Sequence, residues 1–171
     1  MSQRRPAIWI VTALAATIVL SFISLQQTSA DISGFIPTWR MIGHDSANTR
    51  SQPFEARISR RNVDRLSPRW TFTTAGDVSA TPAVVNEADK ERGRGRRRLV
   101  AYFPDWGGML WKLDAETGKV LWSHTIAEYN GIADSLSRTS PAVTNGLVLV
   151  ADLNGNMMGV DAETGVLRWL T

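Results

Sequence analysis

Arg138 is the side chain of this sequence best equipped to hold an anion. Its planar guanidinium offers two parallel N–H donors to a carboxylate, and the hydroxyls of Thr139 and Ser140 follow it directly. Two acidic turns flank it along the chain, Asp105-Trp106-Gly107-Gly108 and Asp152-Leu153-Asn154-Gly155. Asp and Asn in such a pattern can face a ligand, but they also build tight turns by bonding their own backbone, and turn formation is the commoner role. Trp106 can stack on a ligand ring or anchor a neighbouring loop. His44, in Gly43-His44-Asp45-Ser46, has no nucleophile pattern around it, and His124 stands alone, so neither defines an acid–base site or a zinc site. The sequence has no cysteine, which excludes a disulfide framework, a thiolate metal site and a covalent c-type haem within these residues.

The positioning elements must come from a chain of 171 residues, 43% hydrophobic and 20% charged, a composition able to bury one core. Seven tryptophans, with many Val, Leu and Thr, favour sheet over helix. The net charge of +3 arises in two blocks, Arg4-Arg5 and the run from Lys90 to Arg98, so it describes no nucleic-acid-binding surface. Arg4-Arg5, an apolar stretch from Ala7 to Leu25 and the small-residue exit Thr28-Ser29-Ala30 read as a secretory signal peptide over residues 1–30. An uncleaved anchor helix is the alternative, since about 18 apolar residues cross a bilayer. Either reading places Asp31–Thr171 outside the cytoplasm, periplasmic or secreted.

A repeat organises the remainder. The segment Leu113-Asp114-Ala115-Glu116-Thr117-Gly118-Lys119-Val120-Leu121-Trp122 returns 47 residues later as Val160-Asp161-Ala162-Glu163-Thr164-Gly165-Val166-Leu167-Arg168-Trp169. Asp105 and Gly108 match Asp152 and Gly155 at the same offset, whereas Thr81-Pro82-Ala83-Val84 matches Ser140-Pro141-Ala142-Val143 at 59, so the first copy carries 12 extra residues within Asn86–Arg98. Each copy predicts four short strands: Ala83–Val85, Leu99–Phe103, Met109–Leu113 and one closing on Trp122, then Ala142–Thr144, Leu147–Ala151, Met157–Val160 and one closing on Trp169. Four-stranded antiparallel units of about 45 residues are the blades of a β-propeller, which needs roughly four to eight of them to close. The expected organisation is a leader at residues 31–68 and blades at 69–122 and 123–171. The stretch Arg69-Trp70-Thr71-Phe72 reads as the closing strand of a further blade. The chain is therefore expected to be an N-terminal fragment of an all-β propeller, inactive alone.

The paired Asp-Ala-Glu-Thr-Gly-x-x-x-Trp motifs resemble the tryptophan-docking repeats of the pyrroloquinoline quinone (PQQ) family of propellers. Trp39-Arg40-Met41-Ile42-Gly43-His44-Asp45-Ser46-Ala47-Asn48-Thr49-Arg50 resembles the start of its polyvinyl-alcohol dehydrogenase branch, as do Gly76–Pro82 and Tyr102–Gly108. The resemblance implies that each tryptophan packs on the neighbouring blade near its glycine turn. It also implies a PQQ cofactor with calcium beside it, an alcohol substrate and an electron acceptor. The base and the calcium ligands would come from blades beyond these residues. A non-enzymatic envelope scaffold with the same repeat is the alternative reading.

Strand parity decides which loops share a face. The insertion and the Asp-Ala-Glu-Thr-Gly turns lie on one side; Asp105–Gly108, Asp152–Gly155 and the inter-blade stretch Ser123–Thr139 lie on the other. The resemblance places the quinone on the second side. The expected cofactor contacts are therefore Arg138, Thr139, Asp105, Trp106, Asp152 and Asn154. Arg138 stands where the first copy has Ser79, so it departs from the repeat; a plain surface arginine is the competing reading. The Lys90–Arg98 run is expected to form a mobile, solvated loop away from the cofactor, with an acidic partner or anionic membrane as the alternative.

Overall fold

A computed structural model describes residues 38–171, apart from 54, 90, 92 and 94. Residues 1–30, expected to be a signal segment, and residues 31–37 of the leader lie outside the described residues. The chain forms two four-stranded antiparallel sheets of identical topology. The first contains β1 (Ala83–Ala88), β2 (Arg97–Pro104), β3 (Met109–Asp114) and β4 (Val120–Thr125), in that order. A short helix, α1 (Ile126–Asn130), leads to the second sheet, made of β5 (Ala142–Thr144), β6 (Leu147–Ala151), β7 (Met157–Asp161) and β8 (Leu167–Leu170). Each sheet is a meander of neighbouring strands, the unit of a propeller blade.

One core joins the two blades. Ala83, Val85, Val100, Tyr102 and Leu110 of the first pack with Val143, Val148, Val150, Met158 and Val160 of the second, and Ile126 and Tyr129 of α1 complete the cluster. Alternate burial along β6 follows from the two-residue period of a strand, with Val148 and Val150 turned inward.

The repeated motif folds the same way twice. Asp114 Oδ1 accepts the amides of Glu116 and Thr117, each at 2.9 Å, and Asp161 Oδ1 accepts those of Glu163 at 3.1 Å and Thr164 at 2.8 Å. The turns end on Gly118 and Gly165, at φ +75° and +76°. This left-handed conformation disfavours a side chain. The bare glycine surface receives a tryptophan. Trp122 donates Nε1–H to the carbonyl of Ala162 at 3.2 Å, and a Cβ on Gly165 would stand 3.0 Å from its ring and 2.7 Å from the ring of His124, which shares the glycine surface. Trp70 does the same one blade earlier, with Nε1–H to the Ala115 carbonyl at 3.1 Å and its ring 2.7 Å from a Cβ placed on Gly118. A register shift recurs before each closing tryptophan, between Lys112 and Leu113 and between Gly159 and Val160.

Three local expectations change, the second of them in part. Arg69–Phe72 forms no strand, because no neighbouring strand pairs with it among the described residues; Trp70 alone takes up the docking position. The base of the insertion continues the hairpin, with Asn86, Glu87 and Ala88 paired to Leu99, Arg98 and Arg97, while Glu91, Gly93, Gly95 and Arg96 lie outside the strands and are exposed, as expected of the basic run. Arg98 explains the order of the base: its guanidinium reaches Asp89 at 3.1 Å, Glu91 at 2.8 Å and Asp114 at 3.6 Å, tying the insertion to the motif turn on the same face. The inter-blade stretch contains α1, closed by a reciprocal Thr125–Glu128 capping box at its start and Gly131 at φ +71° at its end.

The docking arrangement predicts the effect of removing its ring. Trp122→Ala deletes a large half-buried side chain and its Nε1–H bond, and is expected to lower unfolding stability by about 3 kcal/mol. Trp122→Phe should recover most of that loss. Urea denaturation followed by far-ultraviolet circular dichroism measures both.

Candidate functional site

The turn between β2 and β3, the turn between β6 and β7, and the segments preceding β1 and β5 meet on one side of the two blades. The backbone makes the joints. The Trp106 amide donates to the Asp77 carbonyl at 2.9 Å, the Leu153 amide to that of Leu136 at 3.1 Å, and the Ile126 amide to that of Gly108 at 2.8 Å. The expected sharing of a face by these loops is thus what the structure shows, with the insertion and motif turns gathered elsewhere around Arg98.

Of the six expected contacts, Arg138 and Trp106 come together. The Arg138 guanidinium carbon lies 3.6 Å from the centroid of the Trp106 ring, a cation–π stack. Arg138 is exposed, and no described carboxylate forms an ion pair with it. Trp106, 39% exposed, donates Nε1–H to Ser79 Oγ at 2.9 Å. Ser79 is the residue that Arg138 replaces in the second copy, so the tryptophan bridges two equivalent positions of adjacent blades.

The other candidates spend their polar atoms on the scaffold. Asp105 is fully buried; its Oδ1 accepts the Met109 amide at 3.0 Å, and its Oδ2 accepts Trp111 Nε1–H at 2.8 Å and the Ala75 amide at 2.9 Å. Asp152 accepts from the amides of Asn154 (2.9 Å) and Asn156 (2.8 Å) and from the side chains of Asn156 (2.7 Å) and Asn130 (2.6 Å). Thr139 Oγ1 exchanges hydrogen bonds with the backbone of Ala151, both at 3.0 Å. Asn154 Oδ1 accepts from Ser135 Oγ at 2.8 Å, which joins the β6–β7 turn to the inter-blade stretch. These four residues build the platform on which Arg138 and Trp106 stand.

Burial alone would raise the Asp152 pKa, but the donors from Asn156, Asn130 and the turn amides outweigh it and hold the carboxyl below its ordinary range. The histidines serve structure. His44 Nδ1 lies 3.1 Å from Asp45 and 3.2 Å from Thr49, with Trp39 edge-on to the ring at 5.0 Å. His124 Nδ1 contacts Glu128 at 3.0 Å, and its ring sits between Trp122 and Tyr129. Sequence reasoning missed Ser79 and Asp77 as partners of Trp106, although the repeat alignment already set Ser79 opposite Arg138.

The donor set suits one part of the expected cofactor. An exposed guanidinium without a carboxylate partner among the described residues, seated on an aromatic face, fits an anionic planar ligand. The set does not suit calcium, which takes six to eight oxygens. Asp105 and Asp152 have committed theirs, and the described residues contain no cluster of three or more acidic, His or Cys side chains.

Meander blades joined by tryptophans docked on glycine turns define a β-propeller of the PQQ-repeat class. Comparison with known proteins supports that class. A family model described as outer membrane protein assembly factor BamB, built on the PQQ repeat, matches residues 66–171. The chain belongs to this PQQ-repeat propeller family. It is 31% identical over 150 residues to the dehydrogenase subunit of a quinone alcohol dehydrogenase from Gluconobacter oxydans, covering 83% of this chain and 18% of that protein. It is 30% identical over 161 residues to a 1-butanol dehydrogenase (cytochrome c) from Thauera butanivorans, covering 90% of this chain and 21% of the relative. Among solved structures, the quinohemoprotein alcohol dehydrogenase ADHIIG of Pseudomonas putida HK5 superposes with a TM-score of 0.61 at 26% identity, over 79% of this chain and 19% of that one. The chain thus spans about a fifth of the length of the relatives it matches.

The charged turn carries its own test. The folded-state pKa of Asp152 lies below its unfolded value, so its contribution to stability is present above about pH 4 and is lost as pH falls through the folded value. Asp152→Asn is expected to cost about 1–3 kcal/mol at neutral pH and to flatten the acid limb of the stability profile. Thermal melts across the range from about pH 2 to 7 measure both effects.

Proposed function

We propose that this chain supplies the first blades of an exported PQQ-dependent alcohol dehydrogenase, and that Arg138 contacts a carboxylate of the quinone. The single observation that carries the reading is Arg138 itself. It is an exposed cation stacked on Trp106 at 3.6 Å, on the face that gathers the β2–β3 and β6–β7 turns. The quinone, when bound, accepts two electrons from the alcohol carbon. What these residues contribute is binding and orientation: Arg138 holds the anion, while Asp105, Asp152, Thr139 and Asn154 keep its surroundings rigid through the bonds described above. The alcohol, the electron acceptor, the remaining blades and the calcium site belong to the proposed whole protein. The leader motif Trp39–Arg50 favours the polyvinyl-alcohol dehydrogenase branch, and the basic, apolar and small-residue order of residues 1–30 supports export.

The test uses the native polypeptide purified from its source, with its intact mass recorded. Titration with PQQ is expected to quench tryptophan fluorescence, and the loaded protein to reduce a redox dye when given a primary alcohol. Arg138→Ala is expected to weaken PQQ binding by about 10- to 100-fold, the loss of a charge-assisted contact. A native product that shows no quenching and no dye reduction would overturn this reading in favour of the protein-binding scaffold.

A further inference from the structure

We infer that Trp106 is the positioning residue of the Arg138 anion site, fixing the guanidinium for its ligand without contacting the reacting atoms. This rests on the reading of Arg138 as a cofactor contact. The argument begins with what stacking uses. A guanidinium laid on a ring contributes its face to the stack, and its five N–H donors lie in its own plane, still pointing outward. Trp106 therefore restrains Arg138 without occupying the donors that a carboxylate needs. A salt bridge to a protein carboxylate would restrain the arginine too, but would consume those donors.

The platform can orient the arginine only if it is itself fixed, and three observations show that it is. The Trp106 amide is bonded to the Asp77 carbonyl at 2.9 Å, and its Nε1–H to Ser79 Oγ at 2.9 Å, so both ends of the residue are tied to the segment before β1. The third is the approach of the two backbones. A Cβ on Gly76 would stand 2.3 Å from the Gly107 amide nitrogen, and one on Gly107 would stand 2.6 Å from Ala75 Cβ. No side chain fits between these strands of backbone, so the β2–β3 turn is clamped against residues 75–77. Arg138 comes from the second blade and Ser79 from the first, so the stack also sets the spacing of equivalent positions across the blade boundary.

The mechanism differs from direct stacking of Trp106 on the quinone. If the indole face served the cofactor, Arg138 would compete for it. With Arg138 on that face, the tryptophan acts through the arginine, and its effect on affinity disappears once the arginine is gone.

The experiment is a double-mutant cycle on PQQ affinity, using the native polypeptide and its Trp106→Leu, Trp106→Phe, Arg138→Ala and Trp106→Leu/Arg138→Ala variants, each checked for an unchanged melting temperature. Trp106→Leu is expected to weaken PQQ binding about tenfold. Trp106→Phe, which keeps an aromatic face, is expected to recover most of the affinity, and the double variant to bind like Arg138→Ala alone. A nitrogen-15 spectrum of the arginine Nε–H groups, recorded without PQQ, should show an Arg138 signal displaced by the indole ring current and returned by Trp106→Leu. Additive losses in the cycle, or wild-type affinity in Trp106→Leu, would overturn the positioning role while leaving Arg138 as a contact. Absence of PQQ binding by the wild type overturns both readings, and the wild-type titration reports that outcome by itself.

Discussion

A tryptophan ring laid on a glycine is the contact on which this architecture depends. A blade of four short strands cannot bury both of its faces, so it needs a neighbour held at fixed distance and angle. Trp70 on Gly118, and Trp122 with His124 on Gly165, supply that fixture. Each glycine has positive φ and no Cβ, and either property excludes an ordinary residue from the position. The rest of the motif prepares this surface. The Asp at its head ties the turn amides so that the alanine carbonyl is left for the indole N–H, and a register shift recurs just before each closing tryptophan.

The Ala162 carbonyl shows how heavily the joint is used. It lies within hydrogen-bond distance of Trp122 Nε1, Tyr102 Oη at 2.8 Å and Lys112 Nζ at 2.7 Å. Lys112 is buried and is paired with Glu87 at 2.8 Å, and burial together with Glu87 pushes the Tyr102 hydroxyl well above its ordinary pKa, keeping it a neutral donor. Lys112 stands where the second copy has Gly159. The boundary between blades is thus not a generic repeat surface: the first blade adds a charged, hydrogen-bonded group specific to this junction. Removing either partner would leave the other as an uncompensated buried or half-buried charge, so the pair fixes which groups must meet at this junction.

Much of this was legible in the sequence because it rests on short-range rules. The repeated Asp-Ala-Glu-Thr-Gly turn, the strand periods and the parity of the loops follow from residues adjacent in the chain, and the structure reproduces them. Helix α1 was not read: Thr125-x-x-Glu128 followed by Gly131 is a capping box with a glycine stop, but a five-residue helix inside a linker leaves little periodic signal. The insertion was legible in part. Its composition argues for a solvated loop and its tip is exposed, but the acids that anchor Arg98 at its base include Asp114, sixteen residues away and in the next turn. Composition of a segment cannot report a partner outside it.

The sequence placed the candidate residues on one face but left their arrangement open. Arg138, Trp106, Asp105, Asp152, Thr139 and Asn154 stand on the expected face, and the sequence already set Arg138 apart as a departure from the repeat, but it does not show which partners each side chain takes. The hydrogen bonds do. Recurring residues such as Asp105 and Asp152 are drawn into their own turns, because the same position in each blade meets the same amides. Arg138 and Trp106 break the repeat, Leu153 standing where the first blade has Trp106 and Ser79 where the second has Arg138. A repeat protein must meet the same structural demands at every blade, whereas a ligand on its axis meets each blade differently. Departures from the repeat are therefore where binding chemistry should be sought, and here the two departures touch.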